Sequence, residues 1–388
     1  MSEPDHSPLI ALVAGELSGD NLGAPLIHAI RQRHPGARFV GIGGPAMIEA
    51  GLESWRDLDE LSVNGFAEPI KRLPSLLKIL LDSRDRIVES RPDCFVGIDF
   101  NFFNGLLEGM VHKRGIKVAH YVSPSVWAWR QSSIKSVAKN VDLMMTLYPF
   151  ENAIYEENGV RAVFVGHPRA DQISLQAEPG AREQARELLG LNVSGQVIAL
   201  LPGSRGSEVA MTGVDFLDTA RQLSQSDNSR VFVIPAANDK RKAQLEQLLE
   251  GYADINVVLV AGQSEQVMQA ADVVLANGGT ATLEALLLKR PVIMSYRLGS
   301  LTYALVSRMV KTPWFSLPNI LAARELIPEF IQSGAEPAAM AAAVERLLAD
   351  ESGNAELLAA FDEIHQRLRR NAGATAASAV LELAGYGG

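Results

Sequence analysis

Five loops carry groups able to do chemistry, and each follows a short apolar run. Gly15-Glu16-Leu17-Ser18-Gly19-Asp20 precedes a helical pattern. Its glycines let backbone N–H groups approach a ligand, and the helix N-terminus favours an anion. Asp20 reads equally well as a helix cap. The loop is not GxGxxG, so a dinucleotide fingerprint is absent. Gly97-Ile98-Asp99-Phe100-Asn101 sets a carboxylate directly after a buried strand, a place for a general base tuned by partial burial; a cap or structural hydrogen bond is the alternative. His120 to Arg130 (HYVSPSVWAWR) gathers a Tyr, two Ser including Ser123, and two Trp including Trp127. Such rings with polar tips suit sugar or base contact and equally suit core anchoring.

Two further loops point to phosphate. Leu201-Pro202-Gly203-Ser204-Arg205-Gly206-Ser207-Glu208 offers free backbone N–H groups and a planar, bidentate guanidinium. It lacks the Lys-Ser/Thr of a Walker loop, which disfavours an ATPase. Asn277-Gly278-Gly279-Thr280-Ala281-Thr282-Leu283-Glu284 opens a helix whose N-terminus suits a diphosphate, with Glu284 one turn further on, where it can accept from ribose hydroxyls. The alternative is a capped helix with an early acidic residue. The seven histidines show neither HExxH nor paired ligand spacing, so no metal site is expected. His120 and His167 read as structural.

These loops need strands to hold them. Apolar runs at 9–14, 38–42, 94–98, 117–121, 143–147 and 163–165 form one set; 197–201, 231–234, 256–260, 273–276 and 292–294 form a second. Helical patterns separate them, which predicts an α/β fold with two doubly wound parallel sheets. The polar stretch 171–195 divides the sets, with the boundary placed near 168. Residues from 356 onward read as purely helical, either a tail on the second domain or a segment returning to the first. Ligands of open α/β sheets bind beyond the carboxyl ends of the strands, so a cleft is expected there.

The 388 residues suit two or three domains. With 47% hydrophobic and 21% charged residues the chain has ample core material, which excludes a fully disordered chain. A net charge of −9 makes broad nucleic-acid binding a poor reading. The single Cys94 excludes an intrachain disulfide framework and a Cys-rich zinc site, and fits a reducing cytoplasm. No apolar run is long enough to span a bilayer, and the start reads as a first strand rather than a signal peptide. Pro69–Glu89 (PIKRLPSLLKILLDSRDRIVE) is different. As a helix it aligns Ile70, Leu73, Leu77, Leu80, Ile87 and Val88 in one stripe, leaving Leu76 and Ile79 outside it near Arg72 and Arg86. That pattern fits an interfacial helix or an ordinary core-facing one.

Together the loops resemble the lipid-A-disaccharide synthase family. The matching strings are LVAGELSGD (12–20), 39–44 with Pro45, VGID (96–99), HYVSPSVWAWR (120–130), 166–168, LPGSRG (201–206) with Glu208, 279–284 and SLPNIL (316–321), in order over nearly the whole chain. The resemblance implies an inverting, UDP-dependent glycosyltransferase of the GT-B fold, with two Rossmann-like domains facing across a cleft and no metal or other cofactor. It implies transfer of 2,3-diacylglucosamine from UDP-2,3-diacylglucosamine to the 6-hydroxyl of 2,3-diacylglucosamine 1-phosphate, giving the β-1,6 disaccharide 1-phosphate and UDP. It further implies domains at 1–168 and 169–356, with helices of 357–388 returning to the first. Peripheral attachment to the inner membrane through Ile70–Val88, on the cytoplasmic side, is also implied. A homodimer is left open.

On that resemblance Asp99 is the expected base. Gly203, Ser204, Arg205, Gly279, Thr280 and Asn319 would face the diphosphate, Gln263 the uracil through its loop 261–264, and Glu284 the ribose. Glu16, Ser18, Asp20, Ser123 and Trp127 would lie on the acceptor side. The chain departs from the family's common IDxPDFN by carrying Asn101 and Phe102 after Asp99, and has Gly278 where Ser is frequent. The rivals are another GT-B UDP-sugar enzyme, such as a UDP-sugar 2-epimerase, and a non-catalytic UDP-sugar-binding homologue.

Overall fold

Runs such as LIALVA and VIALL show no polar alternation because each strand they form is covered on both faces. The computed structural model describes residues 7–61, 69–124, 134–176, 178–192, 194–299, 303 and 312–387. Among them β1 (Leu9–Ala14), β2 (Arg38–Ile42), β3 (Leu52–Ser54), β4 (Cys94–Ile98), β5 (Val118–Tyr121), β6 (Leu143–Thr146) and β7 (Arg161–Phe164) make a seven-stranded sheet in the order β3-β2-β1-β4-β5-β6-β7. The second sheet uses β8 (Val197–Leu201), β9 (Val231–Ala236), β10 (Val257–Ala261), β11 (Val273–Asn277), β12 (Val292–Tyr296) and β13 (Glu329–Ile331), in the order β10-β9-β8-β11-β12-β13. All strand pairs are parallel. Strand order reverses between β1 and β4 in one sheet and between β8 and β11 in the other. Those are the switch points where loops diverge and leave a crevice.

The chain divides into two units, Met1–Asp171 with Leu368–Gly388, and Gln172–Arg367. The crossings therefore fall at 171 and 368 rather than at the expected 168 and 357. The second difference has a clear cause. Helix Glu351–Leu368 is held in the second unit: Lys289 Nζ reaches His365 Nδ1 at 2.8 Å and Asp362 at 3.1 Å, and Phe361 is fully buried. Only the last helix, Ala372–Ala384, belongs to the first unit. It lies against helix Leu17–Arg33, with Ala376, Ala377, Val380 and Leu381 in the same core cluster as Leu26, Ile27 and Ile30. Asp171 ties its start by accepting from the N–H of Asn371 (2.8 Å) and Ala372 (2.6 Å).

Helix Pro69–Ser90 keeps Leu80 and Ile87 of the expected stripe inward but turns Leu77 out and brings Leu76 and Ile79 in. Ile79, Leu80 and Ile87 are buried and Leu76 packs against the same core, whereas Leu77 is 54% exposed and Leu81 36%. The side chains of Ile70 and Leu73 lie outside the described residues. No described helix is long and apolar enough to cross a membrane.

Candidate active site

In the first unit, the loops after β1 and β4 meet at the switch point. Ser18 Oγ donates to Asp99 Oδ2 at 3.4 Å, and Asn101 Nδ2 donates to Asp99 Oδ1 at 3.4 Å. The half-buried Asp99 and its neighbour Phe100 both hold φ of 49°, and Val122 holds φ of 80°. Non-glycine residues in this region cost roughly 1–3 kcal/mol each, and such strain concentrates at functional sites. The surrounding structure over-determines it. Asp99 N–H donates to Tyr121 O at 2.8 Å, and the fully buried Asn104 donates through Nδ2 to the carbonyls of Val13 (3.1 Å), Ile98 (3.2 Å) and Asp99 (2.9 Å). Gly15 has no room for a Cβ because the Phe100 ring lies against it.

The expected acceptor-side residues separate here. Ser18 touches Asp99, and Glu16 is exposed on the same loop. Asp20 is buried at 2% exposure and accepts from the N–H groups of Gly44 (2.9 Å), Ala46 (3.0 Å) and Met47 (2.9 Å). It caps the helix Pro45–Ala50, not its own. Ser123 is likewise turned inward, its Oγ bonding Tyr155 Oη at 2.8 Å and Pro124 O at 3.1 Å. Trp127 lies outside the described residues. Of the two departures after Asp99, Phe102 is 84% exposed, while Asn101 joins Asp99 to His120 Nε2, 3.2 Å from its Oδ1.

Behind Ser123 sits Glu151, 2% exposed. Burial holds its carboxyl up at about 7, although bonds from Tyr148 N–H, Ser123 and Leu147 favour the ionised form. The folded chain therefore keeps this proton to higher pH than the unfolded chain does. Its contribution is complete below the unfolded carboxylate pKa and is lost as pH rises to about 7. Between about pH 5 and about pH 8, wild type should lose about 2 kcal/mol relative to a Glu151→Gln variant in urea unfolding. A constant difference between the two proteins would show that Glu151 ionises normally.

In the second unit, the loops after β8, β9, β10 and β11 enclose a cavity of about 500 Å³, lined by Gly203, Ser204, Arg205, Gly279, Thr280 and Glu284 among others. The helix Gly279–Leu287 starts at its wall, and its N-cap residue, Gly278, supplies no side-chain cap. Gly278 adopts φ 57°, ψ −163°, a region open essentially to glycine alone, and lies close to Tyr296. The Asn277 side-chain oxygen, also at the wall, is buried without a hydrogen-bond partner. An anion set against this helix would meet backbone N–H groups and the positive end of the dipole.

The Gly203–Arg205 loop differs from expectation. Its N–H groups at Ser204 and Arg205 both donate to Glu208 Oε2 at 3.0 Å, so this carboxylate already uses them. Arg205 is 76% exposed, and its Nη1 lies 3.2 Å from Glu208 Oε1. The Ser204 and Arg205 amides are thus already bonded within the loop, and the Arg205 guanidinium is the exposed cationic group on it. Gln263 stands between the lining residues Gly262 and Ser264 in a left-handed conformation, φ 58°. Asn319 does not reach the cavity. It is fully buried and uses all four hydrogen-bonding positions: Nδ2 to Ile327 O (2.9 Å) and Glu329 Oε1 (2.8 Å), Oδ1 from Leu326 N–H and Ile327 N–H (2.8 Å each). It braces the turn between helix Leu317–Ala322 and β13. Among the described residues no cluster of three or more His, Cys, Asp or Glu side chains could hold a metal ion.

Sequence reasoning missed Glu108 altogether and read His120 as structural. Glu108 Oε1 lies 2.5 Å from His120 Nδ1, and the two are 2% and 3% exposed. The signal was the spacing of Asn104 and Glu108 within helix Asn101–His112, in line with the buried Phe103, Leu107 and Val111.

A family model described as lipid-A-disaccharide synthetase matches residues 10–382. The chain belongs to the lipid-A-disaccharide synthase family. Relatives named lipid-A-disaccharide synthase agree: that of Alcanivorax borkumensis is 46% identical, covering 99% of each chain, and that of Pseudomonas putida KT2440 is 49% identical, covering 96% of this chain and 98% of its own. As a family member the chain is a glycosyltransferase with the α/β units of the GT-B fold. Solved structures support the fold at low identity. A UDP-GlcNAc 2-epimerase from Neisseria meningitidis, bound to UDP-GlcNAc, has a TM-score of 0.62 at 14% identity, covering 97% of this chain and 99% of its own. A UDP-glucosyltransferase from Polygonum tinctorium has 0.61 at 12%, covering 99% and 100%.

Proposed function

We propose that this synthase transfers 2,3-diacylglucosamine from UDP-2,3-diacylglucosamine to the 6-hydroxyl of 2,3-diacylglucosamine 1-phosphate, with inversion. Asp99 takes the hydroxyl proton, and the oxygen attacks the anomeric carbon opposite the departing UDP. Negative charge growing on the diphosphate is met by Arg205 and by the N–H groups of Gly279 and Thr280. Glu284 receives the ribose hydroxyls, and the loop through Gln263 receives the uracil. Ser18 and Glu16 lie on the acceptor side. The observation that carries the reading is Asp99 itself: a half-buried carboxylate at the sheet's switch point, with its backbone pinned and both oxygens turned to a loop hydroxyl and an amide.

The exposed Leu77 and Leu81, beside exposed Lys78, support contact with the inner-membrane surface on the cytoplasmic side. Pelleting with anionic vesicles tests this, and protein left in the supernatant at low salt removes it. The reaction is tested by incubating the protein with the UDP donor, with and without the monosaccharide 1-phosphate acceptor. UDP release and a disaccharide mass that both require the acceptor are expected. UDP binding with no disaccharide would favour the non-catalytic homologue, and a 2-epimerised product would favour the epimerase.

A further inference from the structure

Inward from the Asp99 carboxylate runs a single file of polar side chains. Asn101 Nδ2 donates to Asp99 Oδ1 (3.4 Å), His120 Nε2 faces Asn101 Oδ1 (3.2 Å), and His120 Nδ1 faces Glu108 Oε1 (2.5 Å). Asn101 is exposed and Asp99 half-buried; His120 and Glu108 are buried, and a Cβ on Gly97 would collide with the Glu108 carboxylate.

One orientation of the Asn101 amide completes the file. A carboxylate accepts, so the Asn101 amide nitrogen must face Asp99 and its oxygen must face His120. That oxygen also only accepts, so His120 Nε2 carries a proton. Nδ1 and Glu108 Oε1 share one further proton, and the file is complete whether it rests on the ring or on the carboxyl. Burial works against charge on the ring, but the field and hydrogen bond of Glu108, with the field of Asp99, outweigh it and raise the imidazole above its ordinary value. Turning the Asn101 amide over would set its oxygen against Asp99.

We propose that Asn101, held by the buried His120–Glu108 pair, is a positioning residue that aims the Asp99 carboxylate at the acceptor hydroxyl. This rests on the reading of Asp99 as the base. Asn104 fixes the backbone of Asp99, but its side-chain bonds go only to carbonyls. The two loop contacts, from Ser18 and Asn101, set the carboxylate's rotation. Of these only Asn101 is anchored to the core. At 3.4 Å its bond is long, as catalytic hydrogen bonds often are before substrate is bound.

Steady-state kinetics on four variants test the proposal. Asn101→Ala should lower kcat about tenfold, the scale of one hydrogen bond, and leave the donor KM within about twofold. Breaking the buried pair at one residue risks the fold, so both are changed: His120→Gln/Glu108→Gln keeps two neutral amides able to bond each other. It should cost about five- to tenfold in kcat with Asn101 present and less than about twofold in the Asn101→Ala background. Unchanged kcat in Asn101→Ala, or losses that multiply in full, would overturn the proposal. Asp99→Asn serves as the reference. If it is inactive while Asn101→Ala is fully active, the positioning role alone fails. If Asp99→Asn is fully active, the base assignment fails first.

Discussion

An Asp99→Asn variant should lose about 10²- to 10⁴-fold in turnover while binding UDP within about twofold of wild type. The substitution preserves shape and leaves the backbone bonds from Asn104 and to Tyr121 in place. What it removes is the ability to accept a proton at the moment the acceptor oxygen becomes nucleophilic. UDP affinity is a fair control because every residue lining the second unit's cavity lies between 201 and 284, inside that unit. Initial rates with saturating donor, paired with calorimetric UDP titration, separate the two quantities. Turnover within about threefold of wild type would take Asp99 out of the proton transfer. A parallel collapse of UDP binding would mean the substitution had damaged the fold.

The second large effect belongs to Glu284. It lines the cavity on the helix Gly279–Leu287, one turn beyond the helix N-terminus. If it accepts from the ribose diol, Glu284→Ala forfeits charge-assisted hydrogen bonds worth about 1.5–3 kcal/mol, so the UDP dissociation constant should rise about 10- to 150-fold. A second ligand makes the reading specific. Wild type should discriminate against 2′-deoxy-UDP, and the variant should bind UDP and 2′-deoxy-UDP nearly alike. Equal discrimination in both proteins would place the diol elsewhere, whatever the change in overall affinity.

The sequence made the strands legible because burial on both faces writes itself as uninterrupted Val, Ile, Leu and Ala. The two strands it did not reveal, β3 and β13, are three residues long and lie at sheet edges, where neighbours rather than local pattern decide pairing. Loops after strands were equally plain, and with them Asp99, Arg205, Gly279 and Glu284. What stayed hidden was which polar side chains had been spent elsewhere. Asp20 looked available but answers N–H groups of residues 44–47. Asn319 belongs to a motif string, yet all its bonding capacity holds one turn. Glu208 consumes the loop amides that glycine seemed to free. A spacing pattern reports that a polar group exists; only the folded chain reports who has claimed it. His120 shows the converse, since its partners stand 12 and 19 positions away and become a file only when β5 lies beside β4.

The polypeptide passes between the two units twice, after Asp171 and again after Arg367. In topological terms the second unit is an insertion within the first. A nascent chain that has emerged through residue 367 holds every residue of Gln172–Arg367, yet its older unit still lacks the helix Ala372–Ala384 and the two N–H groups that Asp171 accepts from. Birth order and completion order are thus reversed. The half that is begun first is finished last, by a clasp whose two ends are 200 residues apart.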